Sequence, residues 1–168
     1  AVVNFIDAGY IKDDEAKTCN ADELLKNLKE GTEQQNEQRR SRGIPEIEVA
    51  GWVQPPSYDM AMHRLVWSAS TRGRGAGAGG DQGVNYNTYM LGREGYVSLN
   101  MVTDLNLVEK NKPAAHQLLA ALNFNDGKRY SDFNSSTDKV AEYGLAALIG
   151  GIAAKKLGLF AMIGVFLL

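Results

Sequence analysis

The sequence predicts an α+β domain, an antiparallel meander sheet of about four to five strands packed by two helical segments, with a C-terminal apolar helical tail. Three observations predict it. Four runs between residues 46 and 102 alternate apolar and polar side chains with a period of two, the pattern of antiparallel strands with one face on a core. Two stretches, 20–40 and 104–122, carry leucines at helical spacing. The stretch 143–168, YGLAALIGGIAAKKLGLFAMIGVFLL, is apolar except for Lys155 and Lys156. A chain of 168 residues has room for one domain of ordinary size and such an appendage. We place the soluble domain at 1–136 and the tail at 137–168.

Residues 1–6, AVVNFI, are β-branched and apolar and read as a strand paired to something later in the chain. Residues 7–20 form a polar loop with Lys12, Asp13, Asp14 and Glu15 clustered. Asn20 followed by Glu23 reads as a capping box, in which the Asn side chain takes a free backbone N–H and Glu23 reaches back. The helix it starts runs to about Arg40, with Leu24, Leu25 and Leu28 as its buried stripe and EQQNEQRR as a solvated end. Gly43 and Pro45 stop it.

The four strand-like runs are 46–53, 63–69, 84–91 and 96–102. Ile47, Val49 and Val53 share a face in the first, with Trp52 on the other; Leu65, Trp67 and Ala69 share one in the second. Val84, Tyr86 and Met90 do so in the third, and Val97, Leu99 and Met101 in the fourth. Pro55, Pro56, Tyr58 and Asp59 read as a rigid turn, and Gly92-Arg93-Glu94-Gly95 as a short hairpin loop. In the second helical stretch, Pro113 either kinks the segment or sits in the first turn of a new helix. Leu118, Leu119 and Leu122 form its stripe. Ser135 with Asp138 three residues on is a further cap signal, and it predicts the start of the last helix.

Composition narrows the function classes. A net charge of −2 with no basic block argues against a nucleic-acid partner. The short run Arg39–Arg42 sits at a helix C-terminus, where cations are favoured by the helix dipole. Cys19 is the only cysteine, so neither an intramolecular disulfide nor a cysteine-based zinc site is available. Residues 75–80 contain G-x-G-x-x-G, but a strand-like run follows where a dinucleotide site needs a helix N-terminus, so the stretch reads as a hairpin connection. No motif calls for a cofactor or a metal. His63 and His116 are the two histidines, and neither has a ligand partner at helical spacing. Asp13, Asp14, Asp59, Arg93, Asp132 and Asp138 can form an acid–base cluster only by tertiary convergence. Of these Asp13, Asp59, Arg93 and Asp132 are the candidate polar site. Loop acids more often cap turns. Tyr58, Tyr86, Tyr130 and Phe133 read as core and rim packing. No catalytic residue is assigned.

The tail poses a physical problem. As helix, 144–154 spans about 16 Å and 157–168 about 18 Å, each short of a hydrocarbon core of about 30 Å. Together they reach across, but each mid-membrane lysine costs about 2.5–3.5 kcal/mol, against a return of roughly 4–7 kcal/mol from the apolar residues. A single span centred on the lysines is marginal. Two arrangements avoid it. Either the first half packs on the domain or at the interface while the second enters the membrane, or the halves form a helical hairpin. Gly144, Ala147, Gly151, Ala154, Gly158 and Ala161 recur every three or four residues and form a small-residue seam suited to helix packing or self-association. The expected partners are therefore membrane lipid and a protein or second copy on that seam. The abrupt apolar start and the end at VFLL lead us to expect a piece of a longer precursor.

Several stretches resemble a known family. They are GYIKDDEA (9–16), ADELL (21–25), GWVQPPSYD (51–59), HRLVW (63–67), NYNTYMLGREGYVSLN (85–100) and YSDFNSSTDKVAEYGLAALIGG (130–151). In this order they are similar to the bacterial uncharacterised membrane-anchored proteins called domain of unknown function 2167. The resemblance implies a secreted precursor with an extracytoplasmic domain in the cell envelope and an anchor that continues past Leu168. It carries no established activity. Cys19 and the doubled Lys155-Lys156 depart from the expected pattern. Together these readings lead us to expect a membrane-anchored envelope protein acting by binding or assembly; the alternative is an envelope-directed hydrolase or transferase using the acidic and Arg loop residues.

Overall fold

The structure, a computed structural model, describes residues 1–17, 20–77 and 79–150. Cys19, the lysine pair and four seam residues, Gly151, Ala154, Gly158 and Ala161, lie outside the described residues.

The fold is α+β, built on one five-stranded antiparallel sheet. Its strands are β1 (Val2–Ile6), β2 (Ile47–Asp59), β3 (Arg64–Gly73), β4 (Gln82–Leu91) and β5 (Tyr96–Asp104), in the spatial order β1-β5-β4-β3-β2. β2 to β5 form the expected meander, and β1 closes the far edge on β5, with Val3 opposite Leu99. The helices are α1 (Ala21–Ser41), α2 (Val108–Ala121) and the single turn α3 (Ala147–Gly150). Asn20 caps α1 through Oδ1, which accepts the N–H groups of Asp22 and Glu23 at 2.9 and 3.2 Å. The glycine-rich stretch is the β3–β4 connection.

The alternation implies one solvated sheet face. Instead both faces are packed, and polar residues of the central strands, Ser68, Asn87, Thr88 and Ser98, are buried with the apolar ones. On one side Leu65, Trp67, Ala69, Leu91 and Tyr96 meet Leu24 of α1, with Leu25 and Leu28 partly buried against them. On the other Tyr86, Leu99 and Met101 meet Ala115 of α2.

Five local expectations are corrected. The proline pair makes no turn: β2 runs through Pro55 and Pro56 to Asp59, because the pair lies in a register shift between Gln54 and Ser57 of an edge strand, where missing N–H groups are tolerated. A register shift between Val49 and Gly51 changes which residues share a face. Trp52 thereby joins Val49 on the α1 side, edge-on to Trp67 at 5.8 Å, and its Nε1–H donates to Ala21 O. The EQQNEQRR end of α1 is not simply solvated, since Thr32 and Asn36 are buried. Asn36 clamps the start of β2: its Nδ2 donates to Ile47 O at 2.7 Å and its Oδ1 accepts Ile47 N–H at 3.0 Å. In α2, one helix passes through Pro113 and turns Val108, Ala115 and Leu119 inward, leaving Leu118 exposed. No helix starts at Ser135. Asn134 Oδ1 accepts the Ser136 N–H, and Asp138 accepts the Asn134 N–H while pairing with Arg93, so the cap signal is spent on a turn.

The described part of the tail belongs to the domain. Tyr10 and Val140 form a parallel bridge, and Leu145, Leu148 and Ile149 are core residues beside Ile11 and Leu24. Of the seam, Ala147 is buried in the domain and Gly144 lies against Glu15. Among the described residues, no helix is long and apolar enough to cross a membrane. The expected apolar helical tail is thus not seen in residues 137–150; in these, apolar side chains fill a core.

Candidate functional site

The polar and aromatic residues converge at the end of the sheet carrying the β2–β3 turn and the β4–β5 hairpin. Asp59 builds the first: its Oδ1 accepts the N–H groups of Ala61 and Met62 at 2.9 and 3.1 Å. The chain re-enters β3 through His63, the one non-glycine residue with positive φ among the described residues, at 49°. Such a backbone costs of order 1–3 kcal/mol and persists where its surroundings over-determine it. Here they do. His63 O accepts the Leu91 N–H at 2.9 Å, and the imidazole stacks on Tyr130 with centroids 4.0 Å apart.

Behind that ring is a column of aromatics. Tyr130 stacks on Tyr10 at 4.4 Å, and Tyr10 on Phe133 at 3.8 Å. The Tyr130 hydroxyl donates to Ile11 O at 2.9 Å, tying the column to the loop after β1. Gly9 allows that loop to cross closely: at φ +85°, a Cβ there would lie 2.8 Å from Lys139 O.

Asp13 enters from the same loop. Its Oδ2 accepts the Tyr58 hydroxyl at 2.8 Å and faces His63 Nδ1 at 3.2 Å, while Tyr58 Oη is 3.3 Å from the same nitrogen. A carboxylate only accepts, so Nδ1 carries the proton and Nε2 of the neutral ring is left as the acceptor. Burial, followed by the hydrogen bond to Asp13, pushes the Tyr58 phenol far above its ordinary range, and burial does the same to Tyr130. Both phenols stay protonated donors across the ordinary pH range. The result is a carboxylate-oriented imidazole, partly open to solvent, with an aromatic wall on one face. It can pass a proton or hold a polar group at Nε2. Among the described residues no group of three His, Cys, Asp or Glu side chains is placed to hold a metal.

The other candidates have different work. Arg93, in the hairpin loop, makes a two-pronged pair with Asp138 at 2.6 and 2.8 Å, and its Nη1 donates to Gly127 O. The guanidinium, with the Asn134 N–H, holds the Asp138 carboxyl well below the usual range. Asp132 accepts the Arg129 N–H and caps a short 3-10 turn, and Asp14 opens another. Of Asp13, Asp59, Arg93 and Asp132, Asp13 alone bonds into the His63 cluster; Asp59 shapes the turn that carries His63. On the α2 side, His116 Nε2 and the buried Tyr86 hydroxyl are 2.8 Å apart. Arg39 and Arg40 pin α1 to the start of β2, through Pro45 O and the Glu46 carboxylate. Sequence reasoning named His63, Asp13, Tyr58 and Tyr130 separately but missed Tyr10, whose one signal is its place in the GYIKDDEA stretch.

Comparison with curated proteins and with solved structures returns no match. A family model described as protein of unknown function (DUF2167) matches residues 1–168, and the chain belongs to that family.

Proposed function

We propose that this chain is the domain of a membrane-anchored bacterial envelope protein, held on the extracytoplasmic side, that acts by binding or assembly. The observation that carries the reading is the junction at Gly150. Ile149 is buried in the core. From 151 to 168 the sequence holds no charge but Lys155 and Lys156. An apolar segment therefore follows directly on a residue fixed in the domain. The first of the two arrangements of lysines and lipid, a domain-packed first half with a membrane-entering second half, fits that junction best.

The test is fractionation after an alkaline carbonate wash, comparing the full chain with a chain ending at Gly150. The full chain stays with the membranes and the shortened chain leaves them. Recovery of the full chain as a detergent-free soluble monomer refutes the reading. Truncation at Tyr143 is the wrong control, because it removes Leu145, Leu148 and Ile149 from the core.

One observation favours a second reading, an envelope-directed hydrolase or transferase: the imidazole of His63 is oriented by Asp13 and leaves Nε2 open. Turnover of ester or glycoside reporters that is lost in His63→Gln, with the fold intact, supports it. Turnover equal in both chains, or none in either, removes it.

A further inference from the structure

The β2–β3 turn carries more chemistry than the imidazole alone. It runs from Met60 to His63, between the paired residues Asp59 and Arg64. The chain has five methionines. Met90 and Met101 are buried in the core, and Met162 lies outside the described residues. Met60 and Met62 are exposed, at 47% and 49%, and both stand in this one turn. A singly exposed apolar side chain is ordinary. Two thioethers and an imidazole within four residues are a set of donors.

The ring of His63 is held as a ligating imidazole is held. Its Nδ1–H donates to Asp13 Oδ2 at 3.2 Å, and the Tyr58 hydroxyl donates to the same oxygen at 2.8 Å. Tyr130 covers one ring face. The lone pair of Nε2 is left, on a side chain 29% exposed. Metal-binding histidines characteristically give their other N–H to a carboxylate, which fixes the tautomer and raises the basicity of the ligating nitrogen. The backbone is equally fixed. Asp59 Oδ1 accepts the Ala61 and Met62 N–H groups, and His63 O accepts the Leu91 N–H with His63 at φ 49°. Neighbouring Cα atoms are about 3.8 Å apart. A methionine stem is unbranched with three rotatable bonds, so both sulfurs can adjust to an ion held at Nε2.

The donors select the ion. Zinc and iron sites are built from imidazole, thiolate and carboxylate, and no group of three such side chains exists among the described residues. Thioethers are soft ligands and favour Cu(I). All three donors are neutral, and the Asp13 carboxylate lies one hydrogen bond behind the ring. That single negative charge balances a monovalent ion. We propose that Met60, Met62 and His63 bind one cuprous ion, through two thioether sulfurs and Nε2. The inference rests on neither the membrane nor the hydrolase reading.

The test is anaerobic titration of the full chain with Cu(I), in mild non-ionic detergent with ascorbate, against a chromophoric Cu(I) chelator. Cys19→Ser with Met162→Leu is the background, which removes the soft donors outside the described residues. One equivalent of Cu(I) is expected to bind. Losing an outer-shell partner of a metal site typically costs roughly 10–100-fold in affinity, and losing a ligand should cost at least as much. Met60→Leu and Met62→Leu should therefore each weaken binding at least about tenfold, and the pair together at least about a hundredfold, with unchanged circular dichroism. His63→Asn keeps a residue that tolerates positive φ and should remove binding. The methionine variants carry the test if that chain misfolds, because both side chains are exposed. X-ray absorption at the copper edge should show sulfur neighbours that vanish in the double methionine variant. Zn(II) in about tenfold excess should not displace the ion. Absence of stoichiometric binding overturns the proposal. So does binding that survives Met60→Leu with Met62→Leu, or Cu(I) displaced by Zn(II). Turnover and membrane fractionation do not enter these readouts, so their failure is a separate result.

Discussion

Replacing Asn36 with Ala is expected to destabilise the domain by about 2–4 kcal/mol. The figure follows from what the side chain holds. Asn36 is fully buried on α1, and its amide bonds both backbone polar groups of one residue of β2, at 2.7 and 3.0 Å to Ile47 O and N. Each such bond is worth about 1 kcal/mol net. Removing the amide also strands a donor and an acceptor that are only partly open to water. A buried stranded group costs about 1–3 kcal/mol, and the lower end applies here. With a urea m-value of about 1–3 kcal/mol/M, the unfolding midpoint should fall by about 1–2 M at unchanged m. Glu37→Ala, the exposed neighbour, should stay within about 0.5 kcal/mol. An Asn36→Ala loss under about 0.5 kcal/mol refutes the reasoning.

Asn36→Asp separates the two bonds. The carboxylate still accepts the Ile47 N–H but turns a lone pair on Ile47 O, and burial raises its pKa. A raised folded pKa favours the protonated form. The variant's stability relative to the native chain should therefore improve as pH falls toward about 4 and worsen as pH rises through the folded pKa. Equal destabilisation at pH 4 and pH 7 would sink the account.

Asp138 should show the opposite sign: its folded pKa is depressed by Arg93, so its contribution is present above about pH 4 and is lost as pH falls below that. Asp138→Asn should accordingly flatten the acid limb of the stability curve, and an unchanged slope between pH 5 and pH 2 counts against the pair. Gly95→Ala should lower stability by about 1–3 kcal/mol in a thermal melt, because the added Cβ would stand 2.0 Å from Ile6 O, a backbone atom that cannot move aside cheaply. Ile149→Ala, at 1% exposure, should cost about 2–5 kcal/mol by chemical denaturation, whereas a freely hanging tail predicts no loss.

The strands were legible because period two survives wherever the ladder is regular, as in β4 and β5. It failed in β2, where the bulge between Val49 and Gly51 moved Trp52 to the other face, and bulges leave no mark in a hydropathy pattern. The helix end at 32–40 read as solvated because polar letters do not disclose that one of them, Asn36, bonds to a strand eleven residues away. The site was legible by residue type only. Asp13 and His63 lie 50 residues apart, and their meeting depends on a turn fixed by Asp59 and on a left-handed backbone at His63. Tyr58, Tyr86, Tyr130 and Phe133 do pack as expected, but Tyr58 and Tyr130 also supply the hydroxyl and ring that hold the imidazole.

The segment after α2 binds these features into one unit. It bridges the β4–β5 hairpin through Arg129 and Gly92, and it supplies Tyr130 and Phe133 to the aromatic column. It then pairs Asp138 with Arg93 and Val140 with Tyr10, and ends by inserting Leu145, Leu148 and Ile149 into the α1-side core. The residues that fix His63 and those that precede the apolar stretch 151–168 are thus consecutive parts of a single strap. Packing energy at Ile149 and stacking at Tyr10 draw on the same cooperative structure, since the two ends share the bridge at Val140. An anchor pulling at Gly150 would act first on that core and, through it, on the Asp13–His63 cluster. A loop-borne site on an independent tail would have no such coupling.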